Sequence, residues 1–234
     1  MLEAIHLSKH YGKHMALEDL NLSISSGHIF CLLGPNGAGK TTTLHLFLGL
    51  ISPSQGQVRI DGETPGPKAS VAYIPEVVQL YGNLSGVDNL DLFCRFSGAR
   101  YSKGDLRQFL STAGLLEDPH NRLLSTYSKG MRQKVAIAIA LAKDARCIFM
   151  DEPSSGLDPQ AMQEFSAICK QLAALDKTLF IATHDVFQAA TLGTHFGIMK
   201  DGELLQTLEN KNLTATQLQE TYLTQTSDET LFNN

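Results

Sequence analysis

No segment of this 234-residue chain stays apolar for long. The longest uninterrupted apolar run is Val135 to Ala142, far short of the roughly 18 residues that read as a spanning helix. The chain is therefore not expected to cross a membrane by itself, although it could dock onto something that does. It also lacks a basic excess. Its net charge of −5 argues against a dominant phosphate-backbone footprint, so nucleic acid is not an expected partner. The four cysteines, Cys31, Cys94, Cys147 and Cys169, have no metal-ligand spacing. Cys31 and Cys147 lie in apolar runs, where cysteine acts as a small buried hydrophobe, and this usage fits a reducing cytosolic compartment. The opening residues lack the basic-then-apolar pattern of a secretory signal. Low-complexity sequence is absent, and the one repeat is the tetrapeptide YSKG, at Tyr101–Gly104 and Tyr127–Gly130.

What is present is ordinary globular composition, 43% apolar and 18% charged, in a length that suits one large α/β domain or two small ones. "LEAIHLSKHYG" and "ALEDLNLSI" alternate apolar and polar residues and predict a pair of strands turning at Gly12. "HIFCLLG" predicts a short buried strand, followed by a helix over about Lys40–Leu48, and "GQVRIDG" a further strand. From Val77 to about Tyr127 the pattern is helical, broken at Gly82, Gly98, Gly114 and Pro119. "MRQKVAIAIALA" and "PQAMQEFSAICKQLAAL" predict helices on either side of the buried strand "CIFMDEP". "TLFIATH" predicts another buried strand, "DVFQAATLG" a short helix, and "HFGIMKDGELLQ" a hairpin turning at Asp201-Gly202. Strands alternating with helices imply a mostly parallel sheet with helices on both faces, interrupted by a helical insertion over about 77–130. His6, His10 and His14 fall four apart, but a strand–turn–strand broken by Gly12 does not converge them on a metal.

Two stretches carry chemistry. Gly34-Pro35-Asn36-Gly37-Ala38-Gly39-Lys40-Thr41-Thr42 fits G-x-x-x-x-G-K-[ST] between a predicted strand and a predicted helix. Glycines let backbone N–H groups turn inward around phosphate oxygens, and the helix start adds partial positive charge. Lys40 is expected to reach the β- and γ-phosphates of ATP, and the Thr41 hydroxyl to ligate Mg2+. "CIFMDEP" delivers carboxylates to the C-terminal tip of a strand, where open α/β sheets bind ligands. Beside a phosphate loop, Asp151 is placed to hold Mg2+ and Glu152 to orient or deprotonate an attacking water.

At this point the chain resembles the ATP-binding subunit of an ABC transporter, over about Leu2 to Leu223. "GPNGAGKTT", "TYSKGMRQK", "CIFMDEP", "SGLDP" and "ATHD" stand in that family's order, and "YIPE" with "YSKGM" look most like ABC-2-type exporters. The resemblance implies a P-loop NTPase fold. Its parts would be a RecA-like, mostly parallel core, an N-terminal antiparallel β part and a helical insertion, over residues 1–225. Residues 226–234 would form a tail of which no packed structure is expected. The resemblance also implies a role for single residues. Tyr11 would stack on adenine, an interaction of roughly 1–3 kcal/mol in nucleic-acid sites. His184 would hydrogen-bond the γ-phosphate, and Asp158 would lie across a dimer interface while capping the helix that follows. Glu76 stands where the family often has glutamine, and it remains a candidate Mg2+ ligand; in the signature-like segment Lys129 and Met131 stand where the family often has glycine and glutamine, while Ser128 and Gly130 match. Two copies, or one copy and a homologous subunit, would pack head to tail. ATP would sit between one phosphate loop and Ser128 and Gly130 of the other copy. A separate transmembrane permease would hold the assembly on the cytoplasmic face of the membrane. The alternative is an ABC-type ATPase acting on DNA or ribosomes. Those relatives carry long coiled-coil insertions or tandem cassettes, which this chain lacks.

The repeated YSKG divides on its neighbours. Ser102-x-x-Asp105 is a capping-box pattern, and Asp105 supplies the helix start with its own negative charge. After Ser128 the first turn carries no acid, and Met131-Arg132-Gln133-Lys134 adds two cations. Ser128 and Gly130 are therefore the expected anion site, and Ser102 a cap.

Overall fold

A computed structural model of the chain describes residues 1–65 and 70–227. In chain order its elements are β1 (Leu2–Tyr11), β2 (His14–Ile24), β3 (Ile29–Leu33), α1 (Lys40–Phe47), β4 (Gln55–Ile60), β5 (Val71–Ile74), α2 (Gly86–Phe96) and α3 (Lys103–Thr112). Then follow two 3-10 turns (Asp118–Asn121 and Leu124–Thr126), α4 (Lys129–Ala142), β6 (Cys147–Asp151), α5 (Pro159–Ala174), β7 (Thr178–Thr183), α6 (Val186–Leu192), β8 (His195–Lys200), β9 (Glu203–Glu209) and α7 (Ala215–Thr226). The described residues fall into two compact units, 1–65 with 178–227, and 70–177.

In the first unit, β1 pairs antiparallel with β2 and β4 in the order β2-β1-β4. A second set runs β7-β3-β8-β9, parallel except for the β8–β9 hairpin. β3 and β7 are buried at every residue, as the near-continuous apolar runs of strands covered on both faces require. The rings of Phe30 and Phe47 meet Phe180 at 5.3 and 5.5 Å and fill the space beside the strands. The hairpin turns at Asp201-Gly202, as expected. Both residues have positive φ, 49° and 89°, the twist that suits a two-residue turn.

In the second unit, β5 and β6 pair in parallel, Val71 opposite Cys147 through Ile74 opposite Met150. Helices α2, α3 and α4 pack on one another. α4 buries Val135 and Ile137 together with Ala138, Ala140 and Ala142, whose small side chains permit close approach. The Tyr101 ring meets Phe109 edge-on at 5.1 Å, and its hydroxyl donates to the Ala142 carbonyl at 2.7 Å.

The sequence pattern predicts helix from Val77, but α2, the first helix of that stretch, begins at Gly86. The segment before it is a loop pinned by Asn89, which is fully buried. The Asn89 carbonyl accepts from the Tyr81 N–H at 2.9 Å, and its amide donates to the Tyr81 and Ser85 carbonyls. A buried amide that satisfies loop backbone outweighs apolar periodicity. Two elements carry no expectation from the pattern: the four-residue β5 and the polar helix α7. The latter does have a readable start, a capping box between Thr214 and Gln217. Among the described residues no helix is long and apolar enough to cross a membrane. Of the expected tail, Thr226 ends α7, Ser227 caps it, and 228–234 lie outside the described residues.

α3 starts as its sequence predicts. The Ser102 hydroxyl accepts from the Asp105 N–H at 3.2 Å, and the Asp105 carboxylate accepts in return from the Ser102 N–H at 3.1 Å. Ser102→Ala should cost about 1 kcal/mol in urea denaturation, the usual loss for an N-cap. The slope of the transition should stay unchanged.

Candidate functional site

The phosphate loop follows from strand geometry in the first unit. β3 is flanked by β7 and β8, with Leu33 opposite both Thr183 and Ile198. The next residue out of β3 is Gly34, and the next out of β7 is His184. Neighbouring strands lie about 4.8 Å apart, so the two exits sit side by side at one end of the sheet. Two glycines make the loop possible. A Cβ on Gly34 would stand 2.4 Å from the Met199 carbonyl oxygen. Gly39, at φ +101°, has the Ala16 carbonyl oxygen 2.6 Å from that position. The loop is also tied to the hairpin beside it, because the Gly202 N–H donates to the Ala38 carbonyl at 3.1 Å.

Gly39 is the N-cap of α1, with no side-chain cap and no acid in the first turn, so the helix start carries the partial positive charge of its dipole with no carboxylate of its own against it. Lys40 lies across this loop, only 7% exposed, and its ammonium donates to the Gly34 and Pro35 carbonyls at 2.7 and 3.1 Å. Pro35, Asn36 and Gly37 form the exposed crown, Ala38 is buried beneath, and Thr41 and Thr42 open the helix. His184 is exposed, turned outward between Thr183 and Asp185. The Thr183 hydroxyl accepts from the Asp185 N–H at 3.1 Å, and Asp185 in turn caps α6. Tyr11 ends β1, 48% exposed, with the Lys9 ammonium 5.1 Å from its ring centroid.

The second unit holds the remaining candidates. Ile74 pairs with Met150, so β5 and β6 release Glu76 and the Asp151-Glu152 pair at the same strand end. Glu76 is exposed, and Asp151 and Glu152 are half-buried. The Asp151 carboxylate lies close enough to Tyr73 to add to burial in raising that phenol above its ordinary range. Glu152 has a left-handed backbone, φ 43°, a conformation that costs a non-glycine residue about 1–3 kcal/mol and clusters at functional sites.

Ser128 caps α4, accepting from the Met131 N–H at 3.2 Å, with no acid in the first turn. The two YSKG copies thus differ where their sequences differ: one helix start carries its own carboxylate and the other does not. Beside Ser128 and Gly130 a cleft of about 80 Å3 runs between α4 and α5, bordered by Leu157, Ala161 and Glu164. Hydrogen bonds from Lys134 and then Gln160 hold the Glu164 carboxyl below its ordinary range. Asp158 caps α5, accepting from the Ala161 N–H at 2.8 Å.

Donor chemistry separates what each half could hold. The α1 start offers N–H groups and an ammonium, suited to phosphate. In the first unit the Thr41 hydroxyl, and in the second the Asp151 and Glu76 carboxylates, are hard oxygen donors, a type suited to Mg2+ rather than a soft metal. Among the described residues no cluster of His, Cys, Asp and Glu could hold a metal by itself. Sequence reasoning missed three contacts at these positions. Lys9 lies over Tyr11, and Lys129 and Gln133 reach from α4 to the segment after β6. The spacing of Lys129 and Gln133, four apart at a helix start, was a legible sign that they share a face.

A family model described as ABC transporter matches residues 17–155. The chain is 34% identical over 212 residues to the bacitracin transport ATP-binding protein BcrA of Bacillus licheniformis, covering 88% of this chain and 69% of that protein. It is 31% identical over 207 residues to the lantibiotic transport ATP-binding protein SrtF of Streptococcus pyogenes, with 88% and 89% covered. A dimeric, post-hydrolysis ATP-binding cassette bound to ADP and Pi superposes with TM-score 0.79 at 26% identity, over 91% of this chain and 100% of that one. An ATP-binding subunit of an ABC transporter superposes with TM-score 0.81 at 28% identity, over 95% and 99%.

Gly34→Ala should weaken nucleotide binding at least about tenfold, read by titration with a fluorescent nucleotide, because backbone rather than a mobile side chain blocks its Cβ. Wild-type affinity in that variant would contradict the steric account.

Proposed function

The chain belongs to the ABC transporter family, and from that premise we propose that it is the ATPase subunit of an exporter whose membrane-spanning permease is a separate polypeptide. It is an ATPase of that family, and its fold is that of the ATP-binding cassettes. One observation carries the catalytic reading. β3 and β7 release the phosphate loop and His184 side by side, at the end of the sheet where α1 begins with no side-chain cap and no acid in its first turn.

Within this proposal, residues 1–225 form one ATPase domain with a helical insertion over about 77–130. The loop N–H groups from Gly34 to Thr42 surround the phosphates, and the Lys40 ammonium leaves its loop carbonyls for the β- and γ-phosphate oxygens. Tyr11 supplies a ring face for adenine. Thr41, Asp151 and Glu76 are the oxygen donors for Mg2+, which when bound neutralises phosphate charge. Glu152 orients and deprotonates the attacking water, and His184 holds a γ-phosphate oxygen.

A second copy, or a homologous subunit, packs head to tail, so that Ser128 and Gly130 at its open helix start complete the anion site. Asp158 lies at that interface while keeping its capping bond. The dimeric cassette bound to ADP and Pi supports this arrangement. ATP binding closes the pair and hydrolysis reopens it, and the permease responds through the Glu76 loop and the insertion. The permease places the subunit on the cytoplasmic face of a membrane. Export is favoured because similar proteins are named for Nod factor export and for bacitracin and lantibiotic transport. Those names also favour transport over action on DNA or ribosomes.

Glu152→Gln should lower the hydrolysis rate by roughly 10²–10⁴, the contribution of a positioned general base, while ATP still binds and drives dimerisation on a sizing column. An unchanged steady-state rate would remove Glu152 from the chemistry. Ser128→Ala should reduce hydrolysis about tenfold or more in a phosphate-release assay, the loss expected of a phosphate-binding donor. Ser102→Ala should leave it unchanged, and equal losses would refute the distinction between the two YSKG segments.

A further inference from the structure

The signature-like segment departs from its family's usual glycine at Lys129, and the structure gives this lysine a specific partner. Its ammonium donates to the Ser155 carbonyl at 2.5 Å, 26 residues away in sequence. One turn along α4, the Gln133 amide donates to the Pro153 carbonyl. Residues four apart share a helix face, so one face of α4 holds two carbonyls of the segment from Glu152 to Asp158. Gln133 is 2% exposed, and its amide carbonyl has no hydrogen-bond partner. A buried side chain that leaves half its capacity unmet is placed for the bond it does make.

The gripped segment is a tight turn. The Ser155 N–H donates to the Glu152 carbonyl at 3.2 Å, and the Leu157 N–H to the Ser154 carbonyl at 3.0 Å. At its start Glu152 holds its left-handed backbone, which persists only where the surroundings over-determine it. On one side the constraint is β6, whose last residue is Asp151. On the other it is the pair of donors from α4. At its far end the segment becomes Asp158 and α5.

We propose that Lys129, acting with Gln133, is a positioning residue for hydrolysis. It fastens the turn carrying Glu152 to the helix start that presents Ser128 and Gly130, so the anion site and the base are held by one side chain. A glycine at this position could not make the bond, which accounts for the departure from the family's usual residue. The proposal rests on the assignment of Glu152 as the base. It differs from a direct role in nucleotide binding, because the ammonium is engaged with protein backbone.

The test uses the full chain and compares wild type with Lys129→Met, Lys129→Arg, Gln133→Leu, Glu152→Gln and the Lys129→Met/Glu152→Gln double variant. Steady-state ATP hydrolysis and amide hydrogen exchange over 152–158 are measured. Lys129→Met should lower kcat about tenfold or more with KM within about twofold, the pattern of a misplaced catalytic group. Lys129→Arg should recover most of the rate. The Ser155 amide should exchange faster in Lys129→Met, and the double variant should be no slower than Glu152→Gln alone. Gln133→Leu, which removes the other bond, should show the same kcat-against-KM split. A raised KM at full kcat would mean that Lys129 touches nucleotide, and the proposal falls. Wild-type kcat and exchange in Lys129→Met, with Glu152→Gln inactive, would overturn the clamp alone. A fully active Glu152→Gln would overturn the assignment of the base, and this inference with it.

Discussion

The first unit depends on the pairing of β3 with its two parallel neighbours. Five consecutive buried apolar residues offer the backbone no polar side chain of their own, so neighbours must satisfy it: β7 and β8 along the strand, and at its start the Thr194 hydroxyl, which accepts from the Ile29 N–H at 2.9 Å. That requirement fixes the register, and the register fixes where the chain can leave the sheet. Gly34 emerges beside His184, under the Met199 carbonyl, in a space that admits no Cβ. The open start of α1 is thus held in place by hydrogen bonds several residues away. A one-residue slip of β3 would turn its apolar faces over and move the loop together with them.

The second unit uses parallel pairing in the same way and then adds strain. β5 and β6 bring Glu76 and the Asp151-Glu152 pair to one end, but the pairing stops at the strand tip. Beyond it, Glu152 turns through a left-handed conformation. Helix starts supply the anchoring: Asp158 caps α5, and α4 reaches back with Lys129 and Gln133. Stability and chemistry therefore draw on the same groups here, since a capping carboxylate and a helix-start lysine both hold the segment that follows the proposed base.

The motifs were legible because their chemistry is local. G-x-x-x-x-G-K-T between a buried strand and a helix, and two acids closing an apolar run, are requirements of geometry within a dozen residues. The capping box at Ser102 was legible for the same reason, and the structure contains both of its bonds. The loop before α2 was not, because Val77 and its neighbours mimic helical periodicity. The deciding group, Asn89, acts from inside the next helix on backbone eight residues earlier. β5 was missed because four residues carry too little pattern to separate a strand from a loop, and α7 because a polar helix has almost no apolar stripe to read. Lys129 stood in plain view as a substitution, but its partner is 26 residues distant.

The sequence by itself determined the local chemistry: which helix starts are left open, which are closed by their own carboxylate, and which strand ends carry acids. These follow from short-range hydrogen bonding and charge, which act on the residues that encode them. Tertiary structure decided which of those ends lie side by side, that Gly34 and Gly39 face backbone rather than space, and that a lysine in a signature-like turn grips the segment after the acids. Such facts depend on strand register and helix packing. Both arise from burial summed over residues far apart in the chain, so no short stretch of sequence contains them.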